Sequence, residues 1–186
     1  SQNIPNKILN WYDNNKRDLP WRRKVSRVQK EYFTLVSEFM LQQTQVKTVI
    51  PYFNNFTKKY KTLRALSKSN DKEILKMWEG LGYYRRARNL LASSKELVNN
   101  YQSKLPKTLK EIKKLPGIGD YTGNALLGLV YNKPTIAIDG NVKRVFSRYL
   151  NKEEDKIDFG KLIEKNRKQL FNTNRNADFV EALMEF

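Results

Sequence analysis

The sequence predicts an all-α protein, and three observations carry this. Apolar residues recur at helical spacing almost throughout. No segment sustains the period-two alternation of a strand. A short helix, a two-glycine turn and a second helix follow one another between Thr108 and Tyr131. In order, Tyr32, Leu35, Val36, Phe39 and Met40 form the first stripe. Val46, Val49, Ile50 and Phe53 form the second, with Pro51 near its middle as an expected kink. Ala87, Leu90, Leu91 and Ser94 form the third and continue to Leu97, Val98 and Tyr101. Such stripes are core faces. Thr108-Leu109-Lys110-Glu111 has the pattern of a capping box and opens a short helix that ends before Pro116. Gly117 and Gly119 make a tight turn, and a second helix is expected from about Asp120 to Tyr131. Pro134 breaks the chain, and Asp139 stands as the N-cap of a helix over Gly140 to Leu150. A last amphipathic stretch covers Asn176 to Phe186 without a stop signal, so the chain reads as ending inside a helix. No internal repeat or low-complexity linker is present.

The chain has 186 residues, enough for one or two small domains with a core. Lys and Arg number 36 against 19 Asp and Glu, a net charge of +17 that favours a polyanionic partner such as a phosphate backbone. Histidine and cysteine are both absent. A Ser–His–Asp triad, a cysteine nucleophile, a Cys/His metal site and a disulfide framework are thereby excluded for these residues. Catalysis falls to carboxylates, Tyr, Lys, Ser/Thr or backbone groups. No apolar run spans a membrane and no signal-peptide pattern opens the chain, so the expectation is a cytoplasmic protein with no membrane partner.

Helix, Leu115-Pro116-Gly117-Ile118-Gly119, helix is a helix–hairpin–helix pattern. Glycines let the backbone approach a ligand, and the next helix aims N–H groups at an anion, so Gly117, Ile118 and Gly119 are expected against a DNA phosphate. Asp120 is a counter-signal, because its charge sits where the phosphate would come, unless it caps the second helix. Glu38 lies at the edge of its apolar stripe beside Phe39 and Leu41. Enclosed there, it would suit a general acid; exposed, it would be an ordinary surface carboxylate. Asp139 reads as a cap and Asn141 as a helix residue until other evidence is added. Trp78 to Asn89 mixes glycines, Tyr83 and Tyr84 with Arg85, Arg86 and Arg88. Such a mixture suits a wedge that opens a duplex with aromatics while arginines such as Arg86 and Arg88 hold phosphates, and equally a helix–helix corner with a basic flank. Trp21 similarly stands among charges in Arg17 to Arg22.

Taken together, Leu19-Pro20-Trp21-Arg22, Met40-Leu41-Gln42-Gln43-Thr44-Gln45-Val46, Gly80-Leu81-Gly82-Tyr83-Tyr84, the Leu115–Gly119 hairpin and Asp139-Gly140-Asn141-Val142 resemble the MutY family of adenine DNA glycosylases. The resemblance runs from Trp11-Tyr12 to Ala182-Leu183-Met184. It implies the two-lobed helix–hairpin–helix glycosylase fold: a central lobe over about residues 26–131, a second lobe of 1–25 with 132–186, and an active site in the cleft between them. It implies a likeness of activity too: removal of adenine paired with 8-oxoguanine or guanine in double-stranded DNA, by a monomer of bacterial, nucleoid-associated type, with the base flipped out of the stack. Glu38 matches the acid that protonates adenine N7, and Asp139 the carboxylate that stabilises an oxocarbenium-like sugar through a covalent intermediate. Asn141 and Tyr121 match supporting residues; Gln43 and Tyr83 match residues inserted into the duplex. Gln42 and Thr44 match the DNA side of the adenine pocket, Trp21, Arg22 and Leu41 its walls, and Lys143 joins the DNA-binding set.

Tyr121 stands where the related endonuclease III enzymes carry a nucleophilic lysine, so a monofunctional enzyme is implied. Two rivals remain: a thymine mismatch glycosylase of the same superfamily, which can also carry Tyr there, and a non-catalytic DNA-binding fragment. The family continues into cysteines that hold a 4Fe–4S iron–sulfur cluster and into a domain that reads 8-oxoguanine. This chain binds no cofactor by its own residues and is expected to stop where the cluster segment begins. Gly123-Asn124 also departs from the small apolar residues common early in that helix.

Overall fold

The computed structural model describes residues 4–171 and 173–185. Among the described residues the chain is all-α, with twelve α-helices, two 3-10 turns and no strand. They are α1 (Ile4–Asn15), a 3-10 turn (Pro20–Arg22), α2 (Arg27–Leu41), α3 (Val46–Lys59), α4 (Leu63–Ser67), α5 (Asp71–Met77), α6 (Arg85–Asn100), α7 (Leu109–Ile112), α8 (Asp120–Tyr131), α9 (Gly140–Leu150), a 3-10 turn (Glu154–Lys156), α10 (Phe159–Lys165), α11 (Arg167–Leu170) and α12 (Asn176–Glu185). Phe186, the last residue of the expected C-terminal stretch, lies outside the described residues. No helix is long and apolar enough to cross a membrane among the residues described.

Side-chain caps start six of these helices. Ser26, Thr62, Asn70, Thr108, Asp139 and Asp158 each accept a bond from a backbone N–H in the first turn that follows. The expected capping box is half made. Thr108 accepts from the Glu111 N–H, but the Glu111 carboxylate takes the Lys114 ammonium at 2.7 Å. The α3 helix runs through Pro51 without ending there. Proline forfeits one hydrogen bond, and the buried Val49, Phe53 and Phe56 hold the helix on both sides of the gap.

The helices gather into two compact units, one of Asp18–Leu126 and one of Ser1–Arg17 with Leu127–Phe186. The sequence grouped residues 1–25 with the terminal lobe. The structure places the segment from Asp18 with the central helices, where Trp21 meets the Phe53 ring edge-on at 5.3 Å. The core of the central unit is aromatic-rich, with Phe39, Phe53, Phe56 and Trp78 fully buried. Phe56 meets Trp78 edge-on at 6.1 Å and Tyr60 at 5.1 Å. Tyr32 donates to the Tyr60 carbonyl at 2.6 Å, and burial pushes its phenol well above the usual range.

The terminal unit packs α1, α9 and α12 around Ile8, Leu9, Tyr12, Val142, Phe146, Phe179 and Leu183. Gly128 lets α8 come close to α12, since a Cβ there would lie 2.7 Å from a Val180 methyl. Polar links bind α1 to the α12 end of the chain. Tyr12 donates to Glu181 at 2.6 Å, and Arg17 to Glu185 at 2.8 Å. Arg175 forks onto both Asp13 oxygens at 2.6 and 3.0 Å and reaches Asp178 at 3.0 Å. These bonds hold the Asp13 carboxyl below the usual carboxylate range. A depressed carboxylate adds stability above its unfolded value and loses it as pH falls through the folded one. Thermal unfolding should therefore show wild type more stable than Asp13→Asn at neutral pH, with the two converging from about pH 5 toward about pH 2. A constant gap across that range would show that the ion pair does not titrate with folding.

Candidate active site and nucleic-acid interface

Glu38 is buried at 4% exposure on α2, among Leu35, Val36, Phe39 and Met40, which are buried with it. The sequence left open whether this carboxyl is enclosed; the structure encloses it. Just beyond it the helix ends, and that end meets the hairpin and the glycine-rich loop.

The hairpin docks tightly. Gly117 has φ +79°, and a Cβ there would lie 2.8 Å from the Asn89 Cβ and 2.9 Å from the Phe39 ring. Both conformation and space demand glycine. Ser93 donates to the Pro116 carbonyl at 2.8 Å. Gln42 donates to the Gly117 carbonyl at 3.3 Å and to the Thr122 hydroxyl at 3.1 Å. With these carbonyls engaged by α2 and α6, the exposed face of the turn carries Gly119 and the start of α8, where a helix leaves N–H groups without internal partners. A Cβ at Gly119 would meet nothing within 4 Å. Asp120 is not the cap of α8 but its first residue, and its charge is paired with Lys113 at 2.6 Å. The counter-signal in the sequence is thus neutralised locally. Gly123 allows α7 and α8 to close on each other, with a Cβ there falling 2.9 Å from Leu109. The departure at Gly123 is a packing choice of this hairpin.

Gln43 and Tyr83 are both exposed and both left-handed, with φ +58° and +48°. Tyr83 is 61% exposed, and Arg88 is also at the surface. Thr44 is half-buried beside Gln42. One expected DNA contact is corrected, and two further expected residues are engaged within the protein. Arg86 is not on the surface. It is 6% exposed, and its guanidinium donates to the carbonyls of Phe39, Met40, Gln42, Gly82 and Tyr83. It lies against the Trp78 and Tyr83 rings at 5.5 Å each, so it has no face for a phosphate. The Gln42 amide is spent on the hairpin, as above. Trp21 is packed into the core edge against Phe53. Arg22 and Leu41 are half-buried near these elements, and Ile118 is buried, leaving only its backbone to a ligand.

In the terminal unit, Asp139 caps α9 with one carboxylate oxygen, which accepts from Val142 N–H at 2.9 Å; the residue is half-exposed. Asn141 is half-buried and donates to the Leu183 and Met184 carbonyls at 2.9 and 3.4 Å, so it fixes the start of α9 to the end of α12. Arg144 donates to the Asn141 side-chain amide oxygen, Oδ1. Lys143 is exposed, over the Phe159 ring at 5.9 Å. Tyr121 is half-buried in the first turn of α8. Sequence reasoning missed Asn89 and Ser93, whose only signal is their place on the hairpin-facing side of α6. The chain holds no cysteine or histidine, so its residues do not fit an iron–sulfur cluster. No cluster of metal-ligating side chains occurs among the described residues.

A helix–hairpin–helix beside an enclosed carboxyl, in an all-α chain, defines the class. Residues 36–172 match the model of the HhH-GPD superfamily of base excision DNA repair proteins, and the chain belongs to that family. It is 40% identical over 179 residues to an adenine DNA glycosylase of Buchnera aphidicola subsp. Baizongia pistaciae, covering 96% of this chain and 50% of that one. It is 36% identical over 185 residues to the adenine DNA glycosylase of Homo sapiens, covering 96% of this chain and 34% of that one. The chain thus spans half the length, or less, of these relatives. Among solved structures it superposes on a thermostable thymine-DNA glycosylase with TM-score 0.83 at 28% identity, covering 98% of this chain and 83% of that one. It also superposes on an endonuclease III–DNA complex with TM-score 0.74 at 19% identity, covering 98% and 81%. The second shares the fold.

The two hairpin glycines should separate in their effects. Gly117→Ala should lose about 1–3 kcal/mol of stability in urea titration, because a left-handed site gains a Cβ with no room. Gly119→Ala should stay within about 0.5 kcal/mol, as open surface substitutions do. Equal stability losses would show that the turn is not held as described.

Proposed function

We propose that this chain is a monofunctional DNA glycosylase that releases adenine paired with 8-oxoguanine or guanine. The observation that carries this reading is the enclosure of Glu38 on the helix whose end holds the hairpin and presents Gln43. The similarity to two enzymes named adenine DNA glycosylase, over 96% of this chain in each case, supports the choice of base. The partner is double-stranded DNA, held at the hairpin by helix N-terminal amides and surrounding lysines.

In this reading the target adenosine leaves the stack, and Glu38 gives its proton to adenine N7. The base departs with the electron pair of the N-glycosidic bond, leaving positive charge on the sugar. The Asp139 carboxylate opposes that charge and bonds to the anomeric carbon, and water then displaces it. Asn141 keeps Asp139 on a fixed helix start. Tyr121 has no amine for a Schiff base, so the strand is not cut.

The superposition on a thymine-DNA glycosylase favours a second reading, release of thymine from T:G pairs. Single-turnover release from A:8-oxoguanine, A:G and T:G duplexes separates the two. Glu38→Gln should slow adenine release by about 100-fold or more, the scale of a lost general acid. Release of thymine alone would reassign the substrate. Binding without release of either base would leave a DNA-binding module.

Asp139→Asn gives an independent check. Asparagine caps a helix about as well as aspartate, so unfolding should be nearly unchanged while base release stops. An unchanged rate would remove Asp139 from the chemistry. Duplex affinity should also fall roughly tenfold or more between about 50 and 200 mM salt, as phosphate contacts release counterions. A flat salt profile would contradict phosphate binding.

A further inference from the structure

We propose that Arg86 is a positioning residue that sets Gln43 and Tyr83 in register with each other through a single buried guanidinium. This rests on the reading that the chain opens a DNA duplex. Gln43 and Tyr83 lie on different segments, yet both are exposed non-glycine residues in the left-handed region, at φ +58° and +48°. Such a conformation persists only where its surroundings over-determine it. Here the surroundings are the same side chain. The Gln42 carbonyl, whose peptide leads into Gln43, accepts from Arg86 Nη1. The Gly82 carbonyl, whose peptide leads into Tyr83, accepts from Arg86 Nη2 at 3.0 Å and from Trp78 Nε1 at 3.2 Å. Each peptide plane is thereby fixed, and with it the direction in which the next side chain leaves the backbone.

The same guanidinium closes the frame. Its Nη1 also reaches the Phe39 and Met40 carbonyls at the end of α2, and its Nε reaches the Tyr83 carbonyl at 3.3 Å. The Tyr83 ring rests on it at 5.5 Å. A charge only 6% exposed is tolerated because its donors are spent on carbonyls. Lysine cannot replace it: three donors on one rotating nitrogen do not span a planar fork that serves two loops.

The test uses a duplex with 2-aminopurine beside the target pair, whose fluorescence rises when the stack is opened. Wild type, Gln43→Ala, Tyr83→Ala, their double variant, Arg86→Lys and the control Tyr52→Phe are compared at saturating protein. Tyr52→Phe removes a bond to the Glu79 carbonyl in the same loop without touching Arg86. Arg86→Lys is expected to fall to the level of the Gln43/Tyr83 double variant, while its affinity for undamaged duplex and its helical circular-dichroism signal stay at wild-type values. Tyr52→Phe is expected to keep the full rise. A folded Arg86→Lys with the wild-type rise overturns the proposal, as does a wild type that never opens the stack. A wild type that opens the stack but releases no base sinks the glycosylase reading and leaves this one standing. Should Arg86→Lys not fold, amide hydrogen exchange of the wild type decides. Exchange of the Gln43–Thr44 and Tyr83–Tyr84 amides as one cooperative unit supports a shared clamp, and independent opening overturns it.

Discussion

A helix that ends inside a protein must find partners for its last carbonyls, and α2 ends where most of the central unit converges. Arg86 supplies those partners. Its donors close the carbonyls of Phe39, Met40 and Gln42 and at once tie down the glycine-rich loop at Gly82 and Tyr83. Without it, α2 would expose unpaired carbonyls beside an apolar core, a loss of about 1–3 kcal/mol for each group left unsatisfied. The placement of Glu38 is tied to this anchor, because the carboxyl sits in the last turns of the helix whose end Arg86 bonds. So is the hairpin, which leans on the same helix end through Phe39 against Gly117 and through the Gln42 amide.

Charge is distributed to suit that frame. The carboxylates nearest the hairpin surface, Glu111 and Asp120, are paired with Lys114 and Lys113. Both pairs are exposed, so they add little stability; their consequence is local, a surface near the α8 start with no unpaired negative charge from those two residues. The helix end can then present its partial positive charge to an anion. In the terminal unit the chemistry is arranged differently. Asp139 spends one oxygen on capping α9, and Asn141 ties that helix start to the final carbonyls of α12. The Asp139 carboxylate is half-exposed and held by a backbone N–H, where Glu38 is enclosed.

Long helices were legible because their apolar stripes run for several turns. α2, α3 and α6 lie where the periodicity places them, and α8 and α9 where the glycine turn and the Asp139 cap place them. The short helices were not. α4, α5, α10 and α11 span one or two turns, too few for a period to emerge, and only the caps Thr62, Asn70 and Asp158 announce three of them. The turn at Gly117 was legible from local pattern, and so was the place of Glu38 at the edge of its stripe, but not its enclosure. Arg86 was misread because an arginine flanked by tyrosines and arginines looks like surface. What buries it is a set of carbonyls on a distant helix end, and backbone groups leave no trace in a sequence. The bonds of Gln42 were not legible for the same reason: one partner is the carbonyl of a glycine brought near by the fold.

The residues at positions 43 and 83 make a physical argument of their own. Within the same loop the chain uses glycine at positions 80 and 82 for φ values of +91° and +79°, where no side chain is strained. At 43 and 83 it accepts the left-handed region with glutamine and tyrosine, each at a cost of about 1 kcal/mol or more. Glycine would relieve that cost at both sites and keep the hydrogen bonds to Arg86, which involve only backbone carbonyls, losing only the Tyr83 ring against the guanidinium. The strain is therefore not needed by the frame. It is tolerated for the sake of two side chains that are both exposed, and at position 83 the ring also rests on the Arg86 guanidinium.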